Sequence, residues 1–201
     1  MKAKFITIEG LEGSGKSSVI NFLRILLKRK GYSVLILREP GSTKVGEKIR
    51  KILLDKANTK LSCHTELLLY LAARTQLIEE KLISAFKRYN FIICDRFYDS
   101  TLVYQGYALG LGEIVFKAVK MFSLGIKPDL TLILDVPAKA GLARIRNKDR
   151  IESRPLKFHN KLRKGYLDLA KKYPKRIKII DADSNLEEIY KKVKKVISSK
   201  L

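Results

Sequence analysis

The stretch Lys4-Phe5-Ile6-Thr7-Ile8-Glu9-Gly10-Leu11-Glu12-Gly13-Ser14-Gly15-Lys16-Ser17 decides the fold. Its beginning belongs to a segment, Met1–Glu9, that reads as a strand. From Gly10 the spacing is G-x-x-x-x-G-K-S, and beyond it Val19, Phe22, Leu23, Leu26 and Leu27 recur at helical spacing until Gly31. A glycine-rich turn with no ligand would share the composition. The flanking strand and helix are the context that makes the pattern a phosphate-binding loop. Its glycines let successive backbone N–H groups turn inward, and the helix behind adds its positive end. Lys16 supplies a point charge for the β- and γ-phosphates, and the Ser17 hydroxyl is placed for Mg²⁺. The expected ATP-binding set is Gly10, Leu11, Glu12, Gly13, Ser14, Gly15, Lys16, Ser17 and Ser18.

Outward from this loop, apolar runs alternate with helical patterns. Strands are expected at Ser33–Leu37, Phe91–Cys94, Leu130–Val136 and Arg176–Ile180, and a long helix over Thr65–Tyr89 with Leu67, Leu71, Ile78 and Leu82 on one side. Pro137 suits the first turn of a helix. Ser184 with Glu187 three residues on reads as a capping box for a final helix buried along Leu186, Ile189, Val193, Val196 and Ile197. Short apolar strands alternating with helices imply an α/β fold, a five-stranded parallel sheet flanked by helices on both faces. No repeat or Pro/Gly-rich linker interrupts the chain, so residues 1–201 are expected to form one domain. Ligands of such sheets bind at the carboxyl ends of the strands, and the polar motifs fall there.

The 201 residues are 46% hydrophobic, which excludes a disordered chain. No apolar run reaches the ~20 residues of a membrane span, and no signal-peptide pattern precedes the first strand, so a cytoplasmic location is expected. Cys63 and Cys94 have no metal-ligand spacing; Cys94 reads as a buried small hydrophobe in a reduced compartment. The net charge of +22 favours anionic partners. Much of it lies on polar helix faces such as Lys191, Lys192, Lys194 and Lys195.

Further motifs carry chemistry. Asp95-Arg96 follows an apolar strand, where a carboxylate can hold Mg²⁺ and a guanidinium can grip a phosphate, although a surface ion pair would look the same. Arg38-Glu39-Pro40-Gly41 follows another strand and places an arginine at the same sheet edge; a plain turn is the alternative. Tyr70 and Arg74 share a helix face, as base-stacking and base-bonding groups or as ordinary packing. Arg144, Arg146, Arg150 and Arg154 crowd one segment, roughly residues 144–155, either a lid that closes over a transferring phosphoryl group or a solvated basic loop.

Together these residues resemble the thymidylate kinase family over nearly the whole chain. The resemblance rests on Gly10–Ser17, Arg38-Glu39-Pro40-Gly41, Ala73-Arg74, Asp95-Arg96 with Ser100-Thr101 and Tyr104-Gln105-Gly106, Lys127-Pro128-Asp129-Leu130, and Asp149-Arg150-Ile151-Glu152. It implies a P-loop NTPase fold with a short lid, phosphorylation of dTMP to dTDP by ATP and Mg²⁺, and a homodimer. Arg38 and Arg96 would hold the dTMP phosphate, Tyr70 would stack on thymine and Arg74 would bond its O4. Ser100, Thr101 and Gln105 would complete the dTMP site, Tyr104 would crowd the sugar 2′ position, and Glu12 would lie near the 3′-hydroxyl. Ser17 and Asp95 would serve Mg²⁺. The catalytic set implied is Lys16, Asp95, Arg96, Arg146 and Arg150. Gly13 stands where part of the family carries a catalytic arginine, so the chain resembles the type with that arginine in the lid. Ser42 in place of a second glycine, Leu109 in place of an arginine, and a lid a few residues shorter than usual are departures.

Two other readings stay open on sequence alone. One is a related kinase with a different acceptor, another nucleoside monophosphate or a nucleoside. The other is a basic nucleic-acid-binding protein that holds ATP as a ligand. Against the latter, no recognisable nucleic-acid module and no basic stretch interleaved with aromatics is present, so no specific nucleic-acid partner and no membrane partner is expected.

Overall fold

The computed structural model describes residues 3–199, and the strand reading at Met1 and Lys2 lies outside them. Five strands form one parallel sheet in the order β2-β3-β1-β4-β5. They are β1 (Lys4–Gly10), β2 (Val34–Arg38), β3 (Phe91–Asp95), β4 (Leu130–Asp135) and β5 (Ile177–Asp181). β1, β2, β3 and β5 end one residue beyond the sequence reading, because Gly10, Arg38, Asp95 and Asp181 still pair in register, and β4 ends one residue short of it, at Asp135. Strand pairing sets Arg38 beside Asp95 and Asp95 beside Ile8, so the polar strand tips meet at one edge.

The alternation of β1 divides the core. Ile6 and Ile8 face helices α1 (Lys16–Arg29) and α9 (Leu186–Ser198), whose Val19, Leu23, Leu27, Ile189, Val193 and Ile197 are buried there. On the other face Phe5 belongs to a buried cluster with residues of α3 (Cys63–Leu77), α6 (Glu113–Phe122) and α8 (Leu156–Lys172). Burying these apolar surfaces on both sides stabilises the sheet. Thr7 and Glu9 share the Phe5 face, so β1 delivers a carboxylate into that second layer next to the phosphate-binding loop. The remaining helices among the described residues are α2 (Lys44–Leu54), α4 (Ile83–Arg88), α5 (Tyr98–Thr101), which continues into a π-helical segment at Leu102–Ala108, and α7 (Ala138–Ala143), besides a second π-helical turn between α3 and α4.

Some boundaries differ from the sequence reading. The long helix starts at Cys63 because Ser62 caps it, its Oγ accepting from Thr65 N–H at 3.1 Å. It then passes through a π-helical turn at Ile78–Leu82 before α4. Helix α9 is capped by Asn185, whose side chain accepts from Glu188 N–H at 3.0 Å, rather than by Ser184 with Glu187. Asn and Ser are equivalent caps; Leu186, expected in the buried stripe, is instead the first residue of the helix and 48% exposed. Cys63 and Cys94 are free thiols.

Candidate functional site

The loop Gly10–Lys16 crosses from β1 into α1, and its backbone takes left-handed φ at Gly13 (+70°) and Gly15 (+89°). Gly13 has a second reason to lack a side chain: a Cβ there would fall 2.0 Å from the Gly141 carbonyl oxygen of α7. Loop and helix thus touch backbone to backbone. The Lys16 ammonium curls back onto the Leu11 carbonyl at 2.8 Å and the Gly10 carbonyl at 3.3 Å. Burial and the neighbouring Arg96 charge bring its pKa down to about 8 against the opposite pull of Asp95 and Glu12.

Beside the loop lies a cavity of about 190 Å³. Glu12, Gly13 and Lys16 form one side, Arg38 and Asp95 come from the strand tips, and Tyr70, Arg96, Ser100, Thr101, Tyr104 and Gln105 close it. Arg96 has φ +67°, a left-handed conformation that turns the chain sharply off β3. The guanidinium is thereby aimed inward, donating to Ser100 Oγ (3.1 Å), Tyr166 OH (3.0 Å) and Glu12 Oε1 (3.0 Å) and lying over the Tyr104 ring. Tyr104 OH also donates to Glu12 Oε1. Glu12 is a hub of charge: burial would raise its pKa, but His159, Arg96 and Lys16 together hold it well below the carboxylate range. His159 Nδ1 lies 3.6 Å from Glu12 Oε2, an electrostatic rather than a hydrogen-bonding distance.

Arg74 stands one layer behind the cavity. It is fully buried, fork-on-fork with Glu39 of the Arg38-Glu39-Pro40-Gly41 turn and donating to Thr101 Oγ1 at 2.6 Å. Its remaining nitrogen, Nη1, is buried without a partner. Burial raises the Glu39 pKa, and the Arg74 charge offsets the rise only in part. Arg38 is half-exposed and bidentate with Glu47 of α2. Ser17 and Asp95 line a second, adjoining cleft, and Asp95 Oδ1 is buried without a hydrogen-bond partner. Ser18 is half-buried in the first turn of α1.

The lid arginines separate. Arg150 is tucked away, its Nε donating to the Leu53 carbonyl (2.7 Å) and its Nη2 to Glu66 (2.7 Å). Arg154 joins the same carboxylate at 2.6 Å. Arg144 donates to the Gly13 carbonyl at 3.2 Å, at the mouth of the loop. Arg146 is exposed and has no hydrogen bond or ion pair with the described residues. The structure therefore brings neither Arg146 nor Arg150 to the cavity wall.

A family model described as thymidylate kinase matches residues 8–193. The chain belongs to the thymidylate kinase family. A thymidylate kinase of Thermoanaerobacter sp. (strain X514) is 45% identical over 204 residues, all of both chains. One from Chlamydia caviae is 44% identical over 195 residues, with 94% of each chain covered. The crystal structure of thymidylate kinase from Ehrlichia chaffeensis superposes with a TM-score of 0.80 at 29% identity, over 98% of this chain and 99% of that one.

For this thymidylate kinase family member the sequence reading missed several groups. Glu9 is fully buried, accepting from Phe97 N–H (2.8 Å), Ser100 Oγ and Tyr166 OH (3.0 Å). Burial, then the nearby Asp99 charge, push its pKa up to about 7 against the pull of Arg96, Ser100 and Phe97 N–H. Arg50, Asp149 and Glu152 also reach the cavity. Glu9 was within reach as a carboxylate at a strand end, whereas Tyr166 and His159 sit on the polar-looking α8 and only long-range packing reveals them.

Proposed function

We propose that the chain transfers the γ-phosphoryl group of ATP to the 5′-phosphate of dTMP, giving dTDP and ADP. The observation that carries this reading is the cavity itself. It has phosphate-gripping arginines, Arg38 and Arg96, beside the loop, and a base-sized end made by Tyr70 and Gln105 with the unpartnered nitrogen of Arg74 behind Thr101. An oxygen of the dTMP phosphate attacks Pγ as the bond from Pγ to the β-phosphate oxygen breaks. The attacking oxygen is already anionic, so no strong general base is required, and catalysis comes from positioning and charge neutralisation.

Each residue then has a task. Lys16 exchanges its loop carbonyls for the β- and γ-phosphate oxygens. Arg38 and Arg96 hold the acceptor phosphate and Tyr70 stacks on thymine; Arg74, buried behind the cavity with Nη1 unpartnered, would have to shift toward it to meet O4. Glu12 faces the 3′-hydroxyl, and Tyr104 fills the space of a 2′-hydroxyl. Ser17 and Asp95 fit a Mg²⁺ ion: they share one cleft, and the Asp95 oxygen lacks any other partner. When bound, the ion would supply positive charge that offsets the charge of the phosphates. Among the lid arginines, exposed Arg146 is the one free to swing over the transferring group, with Arg144 at the loop mouth.

We also infer a homodimer in the cytoplasm. Leu68 of α3 (62% exposed) and Met121 of α6 (68%) belong to neighbouring helices and leave an apolar face bare. No helix among the described residues is long and apolar enough to cross a membrane. The test is ADP release over dTMP, dUMP, UMP, CMP, AMP and thymidine. Preference for dTMP is expected, with turnover nearly abolished in Lys16→Ala and Arg96→Ala; preference for another acceptor, or near-normal activity in either variant, overturns the assignment. Light scattering reads the dimer.

A further inference from the structure

Helix α3 carries Glu66, Tyr70 and Arg74 at intervals of four, on one stripe. Tyr70 and Arg74 serve the base end of the cavity in the reading above, and Glu66 lies one turn before them. It is fully buried in the first turn of the helix. Its Oε2 accepts from Arg150 Nη2 at 2.7 Å and from Arg154 Nη2 at 2.6 Å. Its Oε1 accepts from Gln105 Nε2 at 2.8 Å. Gln105 is itself buried and lines the cavity.

A side-chain amide has a donor end and an acceptor end, and its surroundings choose which way it points. A carboxylate clasped by two guanidiniums accepts and cannot donate. Gln105 must therefore give Glu66 its NH₂ group, which leaves its carbonyl oxygen for the cavity. The base end then shows an acceptor from Gln105, while the unpartnered Arg74 Nη1 is buried behind the lining. An acceptor there matches an imide pyrimidine, which offers N3–H as donor. It opposes cytosine, whose N3 accepts and whose 4-amino group donates.

Resting on the dTMP-kinase reading, we propose that Glu66 is a positioning residue for acceptor specificity: it fixes the polarity of Gln105 and ties that polarity to the lid residues Arg150 and Arg154. The same oxygen pair thus holds the segment Asp149–Arg154 down and orients the base reader. Removing the carboxylate while keeping the shape, as in Glu66→Gln, gives a side chain that must turn its carbonyl to the two arginines. Its NH₂ then faces Gln105, which rotates and presents its own NH₂ to the base.

The experiment uses the full-length enzyme at saturating ATP with dTMP, dCMP and 3-deaza-dTMP, in which a C–H replaces N3–H. For the wild type, 3-deaza-dTMP is expected to lose roughly 10–100-fold in kcat/KM against dTMP, as a site built for a hydrogen bond rejects a substrate lacking it. Glu66→Gln is expected to lose a similar factor for dTMP, expressed mainly in KM, and to narrow the dTMP-to-dCMP ratio. In a Gln105→Ala background, Glu66→Gln is expected to add little further to KM, because it acts through a side chain no longer present. A merely structural role would add its full effect in both backgrounds. Equal use of 3-deaza-dTMP and dTMP by the wild type overturns the proposal even if Glu66→Gln does not fold. So does an unchanged KM in a folded Glu66→Gln, or full additivity with Gln105→Ala. A wild type that phosphorylates no dTMP overturns the functional reading as well, so the two failures are distinct.

Discussion

Replacing Glu9 by Gln should make the protein's stability respond differently to pH. The Glu9 carboxyl is fully buried and has its pKa raised from 4.5 to about 7. Between these values the folded protein holds a proton that the unfolded chain releases. Stability from this group is therefore present in full below pH 4.5 and is lost as pH rises through 7. Integrated from pH 5 to pH 8, the loss is roughly 2.5 kcal/mol. For a chain of this size that corresponds to about 5–10 °C in Tm. Gln keeps an acceptor for Phe97 N–H and offers an NH₂ to the Ser100 and Tyr166 oxygens, so the variant retains the shape and lacks the titration. Calorimetric melting of both proteins from pH 5 to pH 8 reads the difference directly, since every other group is common to both. The gap is expected to shift by about 5–10 °C in favour of the Glu9→Gln variant as pH rises, given the magnitude above. A gap that stays constant across the range would refute the reasoning, and a shift of opposite sign would show that Arg96 keeps Glu9 ionised in the native state.

Gly13→Ala should cost ~2–4 kcal/mol, from the left-handed φ and the forced contact with the Gly141 carbonyl, and should abolish the rise in Tm that ATP confers. Melting with and without ATP checks it. Arg150→Ala and Arg146→Ala should part company. The first removes one of two guanidiniums from Glu66 and should lower Tm at a cost of ~2 kcal/mol, whereas the second should leave Tm alone and reduce kcat on the order of 100-fold. Arg74→Lys cannot reproduce the fork onto Glu39 and should raise KM for dTMP by at least roughly 10-fold while ATP affinity holds.

How far the sequence foretold this arrangement depends on the distance over which each feature is decided. The loop Gly10–Ser17 is local: its glycines, lysine and flanking periods occupy one run, and both its conformation and the strand before it follow from that run. The strand tips Arg38 and Asp95 were legible because a parallel sheet collects its polar termini at one edge. The fate of individual guanidiniums was not. Arg74 reads like Arg38 until Glu39, 35 residues away, encloses it. Arg150 and Arg146 look alike in sequence, and only Glu66, 84 residues from Arg150, separates a tied arginine from a loose one. The α9 cap was displaced by one position because two good capping residues, Ser184 and Asn185, stand side by side.

The tether on Arg150 sets a limit on travel. The stretch 144–148 runs from the end of α7 at Ala143 to Asp149, which belongs to a turn closed by its own carboxylate onto Ile151 and Glu152 N–H groups. A leash of six peptide links, anchored at both ends, has a contour of roughly 20 Å, and its midpoint can stray no more than about 10 Å from its moorings. Arg146 sits at that midpoint. Its Cα is therefore held to the arc this allows, and only a phosphate lying within one arginine side chain's length of that arc can be met by its guanidinium.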